Sequence, residues 1–268
     1  MLVAKQLCKT YEIKTPNGRK QSIAAVNDVD FQLKSGEFCA LVGESGSGKS
    51  TLSRLLMGLI SPNKGEILLN GESIRQWKKH RKLLYSKIQM VLQDSKSSLD
   101  PRYSVYDSVA EPLRNLKNIS KLEEKHRVKE LMQQMELPHK FISRKPHELS
   151  GGQQKRICIA RALAAEPEII IFDEAVSGLD VLVRKNILDL LKEVHNMQKA
   201  AYLFITHDID VALYVANRIL VMKEGKIVEQ VYYYGDTSCF TNPYSKLLLS
   251  TMLPSFNKES HRLCGKVV

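Results

Sequence analysis

The chain has 268 residues, 43% hydrophobic and 26% charged, which is enough apolar material to bury a full core and excludes wholesale disorder. It contains no run of about 18 apolar residues, so no membrane-spanning helix is predicted. The net charge of +11 suits nucleic acid, an anionic membrane surface or an anionic nucleotide, and charge alone therefore selects no function.

Apolar runs and turn residues alternate through the first part of the chain. Strands are predicted at residues 2–7, 25–33, 38–42 and 88–92. A glycine-rich loop precedes a predicted helix whose leucines have helical spacing, namely Leu52, Leu55, Leu56 and Leu59. Asn70 and Gly71 form the strongest short signal for a β-hairpin.

The apolar period becomes helical from about residue 104 to 165, which predicts a helical insertion. The periodic positions are Val105, Val109, Leu113 and Leu116, then Val128, Leu131, Met132 and Met135. After Pro167 the predicted strands lie at 168–173, 202–206 and 218–223, the helices near 182–196 and 209–216, and a last hairpin at Glu224-Gly225. A mixed sheet, helices and a parallel α/β core place loops at the carboxyl ends of strands, where α/β folds bind ligands.

Residues 43–50 (GESGSGKS) match the P-loop pattern G-x-x-x-x-G-K-[ST] in full. They follow a predicted strand and open a predicted helix, so backbone N–H groups and the helix N-terminus converge on phosphate oxygens. Lys49 is expected to reach the β- and γ-phosphates, and the Ser50 hydroxyl to ligate Mg²⁺. The predicted phosphate-binding residues are Gly43, Ser45, Gly46, Gly48, Lys49, Ser50 and Thr51. The motif indicates a nucleoside triphosphate, but many unrelated enzymes carry it.

Two acids end the apolar strand predicted at residues 168–173. Asp173 closes the run, and an acid there can approach a metal beside the P-loop. Glu174 follows, and its carboxylate is the natural group to orient and deprotonate an attacking water. We interpret Asp173 as a metal ligand and Glu174 as a catalytic residue.

Residues 149–153 (LSGGQ) open a predicted helix about 20 residues before Asp173. With this string at this spacing, the sequence resembles the ABC ATPase family, whose signature it is. Ser150, Gly151, Gly152 and Gln153 at a helix N-terminus form a second anion-binding surface. The resemblance implies that this surface meets the P-loop of a second subunit, so that ATP joins two subunits head to tail.

Four further positions carry the resemblance. Gln93 is similar to the glutamine that contacts Mg²⁺ and links to the permease, and Asp180, in a D-loop-like SGLD string, is implied to face the P-loop of the second subunit. His207 resembles the switch histidine that senses the γ-phosphate. Tyr11 fits the position that stacks on adenine, the alternative being an ordinary tyrosine at a strand end. The implied cofactors are ATP and Mg²⁺, the implied catalytic residues Glu174, His207 and Gln93, and the implied metal ligands Ser50, Gln93 and Asp173.

The resemblance covers about residues 1–235 and implies an α/β fold, a P-loop NTPase (ABC ATPase) core with an antiparallel β subdomain and a helical insertion. The implied domains are a cassette at 1–235, with a helical subdomain at about 95–165, and a short C-terminal extension at 236–268. Residues 93–102 and 242–248 look like peptide and nickel importer ATPases. Residues 174–177, 204–208 and 252–256 resemble nickel-import subunits most.

The implied function is ATP binding and hydrolysis that energise an ABC importer for nickel or a chelated transition metal, with di- or oligopeptide import as the alternative. A non-transport ABC ATPase acting on nucleic acid is a further alternative, but only about 100 residues separate P-loop and signature, and the chain has one cassette. The implied partners are a second, related ATPase subunit, two membrane permease subunits and, indirectly, an extracellular solute-binding protein, without nucleic acid. The N-terminus lacks the apolar core of a signal peptide, so the expected location is the cytoplasmic face of the cell membrane.

Overall fold

The computed structural model describes residues 1–14 and 20–251, without the side chains of Lys14, Lys78 and Lys79. The importer-like stretch 252–256 and the rest of the predicted extension after residue 251 lie outside the described residues. The strands are β1 (Leu2–Lys14), β2 (Lys20–Leu33), β3 (Phe38–Val42), β4 (Lys64–Leu69), β5 (Glu72–Ser73), β6 (Ile88–Val91), β7 (Ile169–Asp173), β8 (Ala201–Thr206), β9 (Arg218–Lys223) and β10 (Lys226–Tyr232). The α-helices are α1 (Lys49–Leu56), α2 (Arg81–Lys87), α3 (Ser95–Ser98), α4 (Val105–Leu116), α5 (Lys121–Gln134), α6 (Gly151–Ala164), α7 (Val181–Met197), α8 (Ile209–Val215) and α9 (Pro243–Ser250).

The strands form two sheets. One is antiparallel, in the order β2-β1-β4-β5. The other has the order β10-β9-β3-β8-β7-β6, in which β10 runs antiparallel to β9 and the other neighbours are parallel. Helices α3 to α6 lie in the chain between β6 and β7. The α/β class, the antiparallel sheet and the helical insertion expected from the sequence are thus present.

Three adjacent inner strands of the larger sheet, β3, β8 and β7, are buried along their whole length. Parallel strands covered on both faces read as continuous apolar runs, which explains the sequences FCALV, IIIFD and AYLFIT. Alternate residues enter two hydrophobic clusters: Ile170 and Phe172 pack with the insertion, and Ile169 and Ile171 pack with α1 and the antiparallel sheet. The parallel sheet therefore lies between the two hydrophobic clusters and packs against both of them.

Local capping chemistry starts the helices of the insertion. The Ser104 hydroxyl accepts a backbone N–H at the start of α4, and Ser120 and Glu123 form a reciprocal capping box at the start of α5. Each such cap contributes about 1 kcal/mol. Arg114 of α4 donates two hydrogen bonds of 2.8 and 3.0 Å to the Glu124 carboxylate of α5. Short-range signals and one ion pair thus set the geometry of these two helices.

Both predicted hairpins are confirmed. Asn70 and Gly71 join β4 to β5 with φ values of 53° and 86°, and Glu224 and Gly225 join β9 to β10 with φ values of 49° and 80°. Two consecutive residues with positive φ are typical of the type I′ turn that matches strand twist.

The predicted ends of the first elements were wrong in two places. β1 and β2 extend to Lys14 and from Lys20, because their outer halves pair with each other as an antiparallel ribbon. Helix α1 ends at Leu56, so Leu59 lies beyond the helix and is 53% exposed. Gly58, two residues after the helix end, has φ +69°, a left-handed conformation typical of the residue that follows a helix. A Cβ at this position would lie 2.9 Å from Ile74, so glycine is also required by space.

The segment after residue 235, which shows weak periodicity in the sequence, packs onto the core. Phe240 is 1% exposed, and Tyr244 and Leu248 of α9 are each 8% exposed within the same hydrophobic cluster as the insertion. Asn242 caps α9 by accepting the Tyr244 N–H at 2.9 Å. In the described part of the chain, no helix combines the length and apolar character needed to cross a membrane.

Candidate nucleotide-binding site

Three neighbouring strands bring several predicted site residues to one edge of the parallel sheet. β8 lies between β3 and β7; Val42 at the end of β3 pairs with Thr206, and Asp173 at the end of β7 pairs with Ile205. The P-loop follows β3, Glu174 follows β7, and His207 follows β8. Ligands of open α/β sheets bind at this carboxyl edge.

The P-loop surrounds the Lys49 ammonium with its own carbonyl groups. Lys49 is 4% exposed, and its Nζ donates to the carbonyl oxygens of Gly43 (2.6 Å) and Glu44 (2.8 Å) and lies 3.4 Å from Ser47 Oγ. Burial lowers the pKa of Lys49, and the carboxylates of Glu174 and Asp173 oppose that shift. The Lys49 ammonium is therefore held at the loop, and the carboxylates of Glu174 and Asp173 are close enough to affect its pKa.

Backbone contacts hold the loop closely against β2 and the β9–β10 turn. Gly48 has φ +106°, and a Cβ at this position would lie 2.1 Å from the Ala25 carbonyl oxygen. The Gly225 N–H donates to the Ser47 carbonyl at 2.9 Å. Gly48 is also the residue before α1, whose first turn contains Ser50 and Thr51. Only glycine fits this conformation and this space, so the motif glycine has a steric reason here.

Asp173 is a buried acid with one oxygen still available. Its side chain Oδ2 accepts a hydrogen bond from Ser53 Oγ at 3.1 Å, whereas Oδ1 is buried with no hydrogen-bond partner among the described residues. Burial raises the pKa of Asp173, and Glu174 beside it adds to that rise. A buried carboxylate oxygen without a partner among the described residues, hydrogen-bonded through its other oxygen to Ser53 of the helix that follows the P-loop, fits a hard divalent cation such as Mg²⁺.

Glu174 and His207 face each other at the edge of this cluster. His207 Nδ1 lies 3.4 Å from Glu174 Oε2. Glu174 has φ +49°, a left-handed conformation that costs a non-glycine residue about 1–2 kcal/mol, and its N–H donates to the Ile205 carbonyl at 2.9 Å. The backbone therefore directs the Glu174 carboxylate toward the position of His207.

Gln93 follows β6 and is exposed, and its backbone is held by a residue that the sequence analysis missed. Lys155 of α6 is 2% exposed, and its Nζ donates to the carbonyl oxygens of Leu92 (3.0 Å) and Gln93. Burial lowers the pKa of Lys155. Helical spacing offers the one available signal, because Lys155 lies on the same face of α6 as the buried Ile159.

The signature residues form a second cluster with Asp180. Ser150 and Gln153 make a reciprocal capping box at the start of α6, and Asp180 caps α7 by accepting the Val183 N–H at 2.9 Å. A Cβ on Gly152 would lie 2.7 Å from Val183 Cγ1, so the two helix starts are in close contact. Ser150 and Asp180 are both exposed. The structure thus presents two helix N-termini side by side at the surface.

Tyr11 lies on β1 and pairs across the antiparallel sheet with Ile23. It is 39% exposed, and Lys9 Nζ lies 5.4 Å from its ring centroid. The ring therefore offers an accessible aromatic face, and its stacking on adenine remains a prediction. Ser45 and Gly46, at the tip of the P-loop, are exposed as well.

Comparison with known proteins identifies the family. The model of the family described as ABC transporter matches residues 26–177. The nickel import ATP-binding protein NikE of Escherichia coli (strain K12) is 42% identical over 241 residues, 90% of each chain, and NikE of Shigella sonnei (strain Ss046) has the same identity and coverage.

Solved structures give the same result for the fold. The ATP-binding cassette MJ0796, a dimer in a post-hydrolysis state bound to ADP and Pi, is similar with a TM-score of 0.78 and 32% identity, over 88% of this chain and 100% of that chain. The protein cbiO1 of Clostridium perfringens, part of the ABC transporter complex cbiONQ, has a TM-score of 0.75 and 30% identity, over 86% of this chain and 88% of that one. The fold class predicted from the sequence is confirmed.

Proposed function

The chain belongs to the ABC transporter family and is an ATP-hydrolysing subunit that energises an importer, and we propose that the imported solute is nickel or a chelated transition metal. The observation that carries the proposal is the 42% identity over 90% of the chain to nickel import ATP-binding proteins. The residues of this chain bind and hydrolyse ATP, and the solute specificity comes from the proteins with which it assembles.

In the proposed mechanism, the P-loop and Lys49 bind the β- and γ-phosphates, and Tyr11 stacks on adenine. Glu174 orients the attacking water and accepts its proton, for which a carboxylate next to the phosphate site is suited. His207, 3.4 Å from Glu174, contacts the γ-phosphate and holds the Glu174 carboxylate in place. The Glu174 side chain is partly buried, at 18% exposed, which strengthens its electrostatic interactions, whereas the His207 side chain is 53% exposed and lies at the open edge of the site.

Ser50, Gln93 and Asp173 are the proposed residues for Mg²⁺. The fit rests on the buried Asp173 oxygen that lacks a hydrogen-bond partner among the described residues. When bound, the ion neutralises phosphate charge. Asp173 contributes a carboxylate whose ionised form is costly without a cation, since burial raises its pKa.

The exposed signature cluster is proposed to complete the ATP site of a second, related subunit, with Ser150 to Gln153 facing the nucleotide and Asp180 facing the P-loop of that subunit. The N-terminus of α6 carries a partial positive charge. Its Gln153 N–H donates to the Ser150 cap, and the other N–H groups of the first turn suit the phosphates of a nucleotide bound elsewhere. Two subunits arranged head to tail then enclose two nucleotides, and ATP stabilises the closed dimer.

A groove of about 350 Å³ between the parallel sheet and α4 is the proposed contact with the permease. Apolar side chains lie on both walls, and the polar residues of the lining are Gln89, Glu111 and Asn115; the apolar ones include Met57, Leu59, Tyr85, Leu92 and Pro112. Leu59 and Leu92 are 53% and 45% exposed, and Leu92 precedes Gln93. A permease helix in this groove senses movement of the insertion relative to the sheet. The chain is accordingly proposed to lie at the cytoplasmic face of the membrane, with a solute-binding protein acting on the permease from outside.

The test is uptake by cells that lack this gene, with labelled nickel and a labelled dipeptide measured in parallel. Complementation with the unaltered gene and with the Glu174→Gln variant separates transport that depends on hydrolysis from changes in expression. We expect nickel uptake to be lost, to return with the unaltered gene only, and dipeptide uptake to be unchanged. Loss of dipeptide uptake with normal nickel uptake would transfer the assignment to peptides.

A further inference from the structure

The C-terminal helix α9 reaches the P-loop through one side chain. The hydroxyl of Tyr244 accepts a hydrogen bond of 3.1 Å from the backbone N–H of Glu44, 200 residues earlier in the chain. Tyr244 is 8% exposed, and Lys223 Nζ lies 4.9 Å from its ring centroid. The tyrosine thus makes this contact from a packed helix, and Glu44 lies on the exposed part of the P-loop.

One peptide group connects this hydroxyl to the P-loop lysine. The Glu44 N–H and the Gly43 carbonyl belong to the same peptide, whose N–H donates to Tyr244 and whose oxygen accepts from Lys49 Nζ at 2.6 Å. A peptide group is planar and moves as a unit, so holding its N–H also sets the direction of its carbonyl. Hydrogen bonds in series polarise one another. Tyr244 therefore acts on the Lys49 ammonium through a single rigid group.

The position of α9 is itself held from several sides. Glu229 Oε1 of β10 accepts the backbone N–H groups of Thr241 at 2.6 Å and Asn242 at 2.9 Å. Asn242 in turn caps the helix at the Tyr244 N–H, and Ser245 is fully buried. These contacts fix the first turn of α9 on β10, the strand that follows the Glu224-Gly225 turn beside the P-loop. The phenol consequently has little freedom to leave Glu44.

We propose that Tyr244 is a positioning residue for the phosphate-binding loop: it holds the Gly43–Glu44 peptide so that Lys49 is presented to the β- and γ-phosphates. The inference deepens the proposed function and rests on nucleotide binding at this loop. Tyr244 acts through the Gly43–Glu44 peptide and Lys49, which belong to the phosphate-binding loop, so its effect is on nucleotide affinity rather than on the chemical step. Through Tyr244, segment 236–251 supports the ATP site.

The test replaces the hydroxyl and keeps the ring. In the full chain, Tyr244→Phe is expected to weaken MgADP binding about two- to tenfold in calorimetric titration, which corresponds to one neutral hydrogen bond. Hydrogen exchange of peptides that contain residue 44 becomes faster. In the assembled transporter KM for ATP rises while kcat at saturating ATP is kept. Tyr234→Phe is the matched control, because Tyr234 is 82% exposed and its change leaves affinity and exchange unaltered.

Unchanged MgADP affinity in Tyr244→Phe would overturn the inference, as would an equal loss in Tyr234→Phe. A lower Tm with unaltered affinity and exchange would also overturn it, because that result identifies a role in packing alone. Failure of the unaltered chain to bind MgADP would instead contradict the assignment of the P-loop, so the two failures are distinguishable.

Discussion

The P-loop cluster and the signature cluster differ in what they bury. In the P-loop cluster, Lys49 and Asp173 are 4% and 8% exposed, the lysine is held by loop carbonyls, and Asp173 keeps one oxygen without a partner among the described residues. In the signature cluster, Ser150 and Asp180 are exposed and already cap their own helices.

This difference indicates that the two clusters have different roles. Buried charges of both signs are costly unless a ligand compensates them, so the P-loop cluster is prepared for phosphate and a cation. The signature cluster is stable in water without a ligand, since its side chains satisfy local N–H groups. It offers helix N-termini to a surface outside its own chain. Substitutions should therefore separate chemistry, binding and assembly.

The largest expected effect is on hydrolysis. Glu174→Gln keeps the shape of the side chain and removes the base, so ATP still binds, turnover in the assembled transporter falls by about two or more decades, and the ATP-bound dimer accumulates. Glu136→Gln is a suitable control, because Glu136 has a similar φ of 51° but lies in the insertion. Near-normal turnover of the Glu174 variant would remove it from the catalytic role.

The next effect separates binding from assembly. Lys49→Ala removes the ammonium opposite the phosphates and should strongly weaken ATP binding to the isolated chain. Ser150→Arg places bulk and charge at the exposed start of α6, so it should leave ATP affinity within about twofold and abolish ATP-driven dimerisation, measured by light scattering. The Arg variant also loses a helix cap worth about 1 kcal/mol, and Ser150→Thr keeps a capping hydroxyl as the control. Equal loss of ATP binding in the Lys49 and Ser150→Arg variants would contradict the division between the clusters.

The smallest effect is on stability within the signature cluster. Gly152→Ala places a Cβ 2.7 Å from Val183 Cγ1 and should lower the free energy of unfolding by about 1–2 kcal/mol, because the α6–α7 contact is overpacked. The second substitution Val183→Ala should recover most of that loss. Gly151→Ala is the matched control, since its Cβ would lie 4.0 Å from Leu179. Denaturant unfolding measures all three, and equal costs for Gly151 and Gly152 would contradict the packing argument.

Much of the fold and the motif part of the site follow from local sequence. Continuous apolar runs predict the buried strands β3, β7 and β8, and Asn70-Gly71 and Glu224-Gly225 predict hairpins that the structure contains. These patterns are readable because strand burial and turn conformation depend on neighbouring residues. The P-loop motif likewise determines its own local geometry, because it contains the loop glycines and the first residues of the helix that follows.

Only the tertiary structure decided which distant groups meet. Leu59 has helical spacing but lies outside α1, since Gly58 takes a φ of +69° at a point where Ile74, which follows β5, leaves no room for a Cβ. Lys155 is a charged residue that folding buries against the carbonyls of Leu92 and Gln93. Tyr244 meets Glu44 across 200 residues. Such contacts depend on the packing of elements remote in sequence. Helical spacing places Lys155 on the same face as Ile159, but it does not identify the carbonyl groups that the ammonium meets.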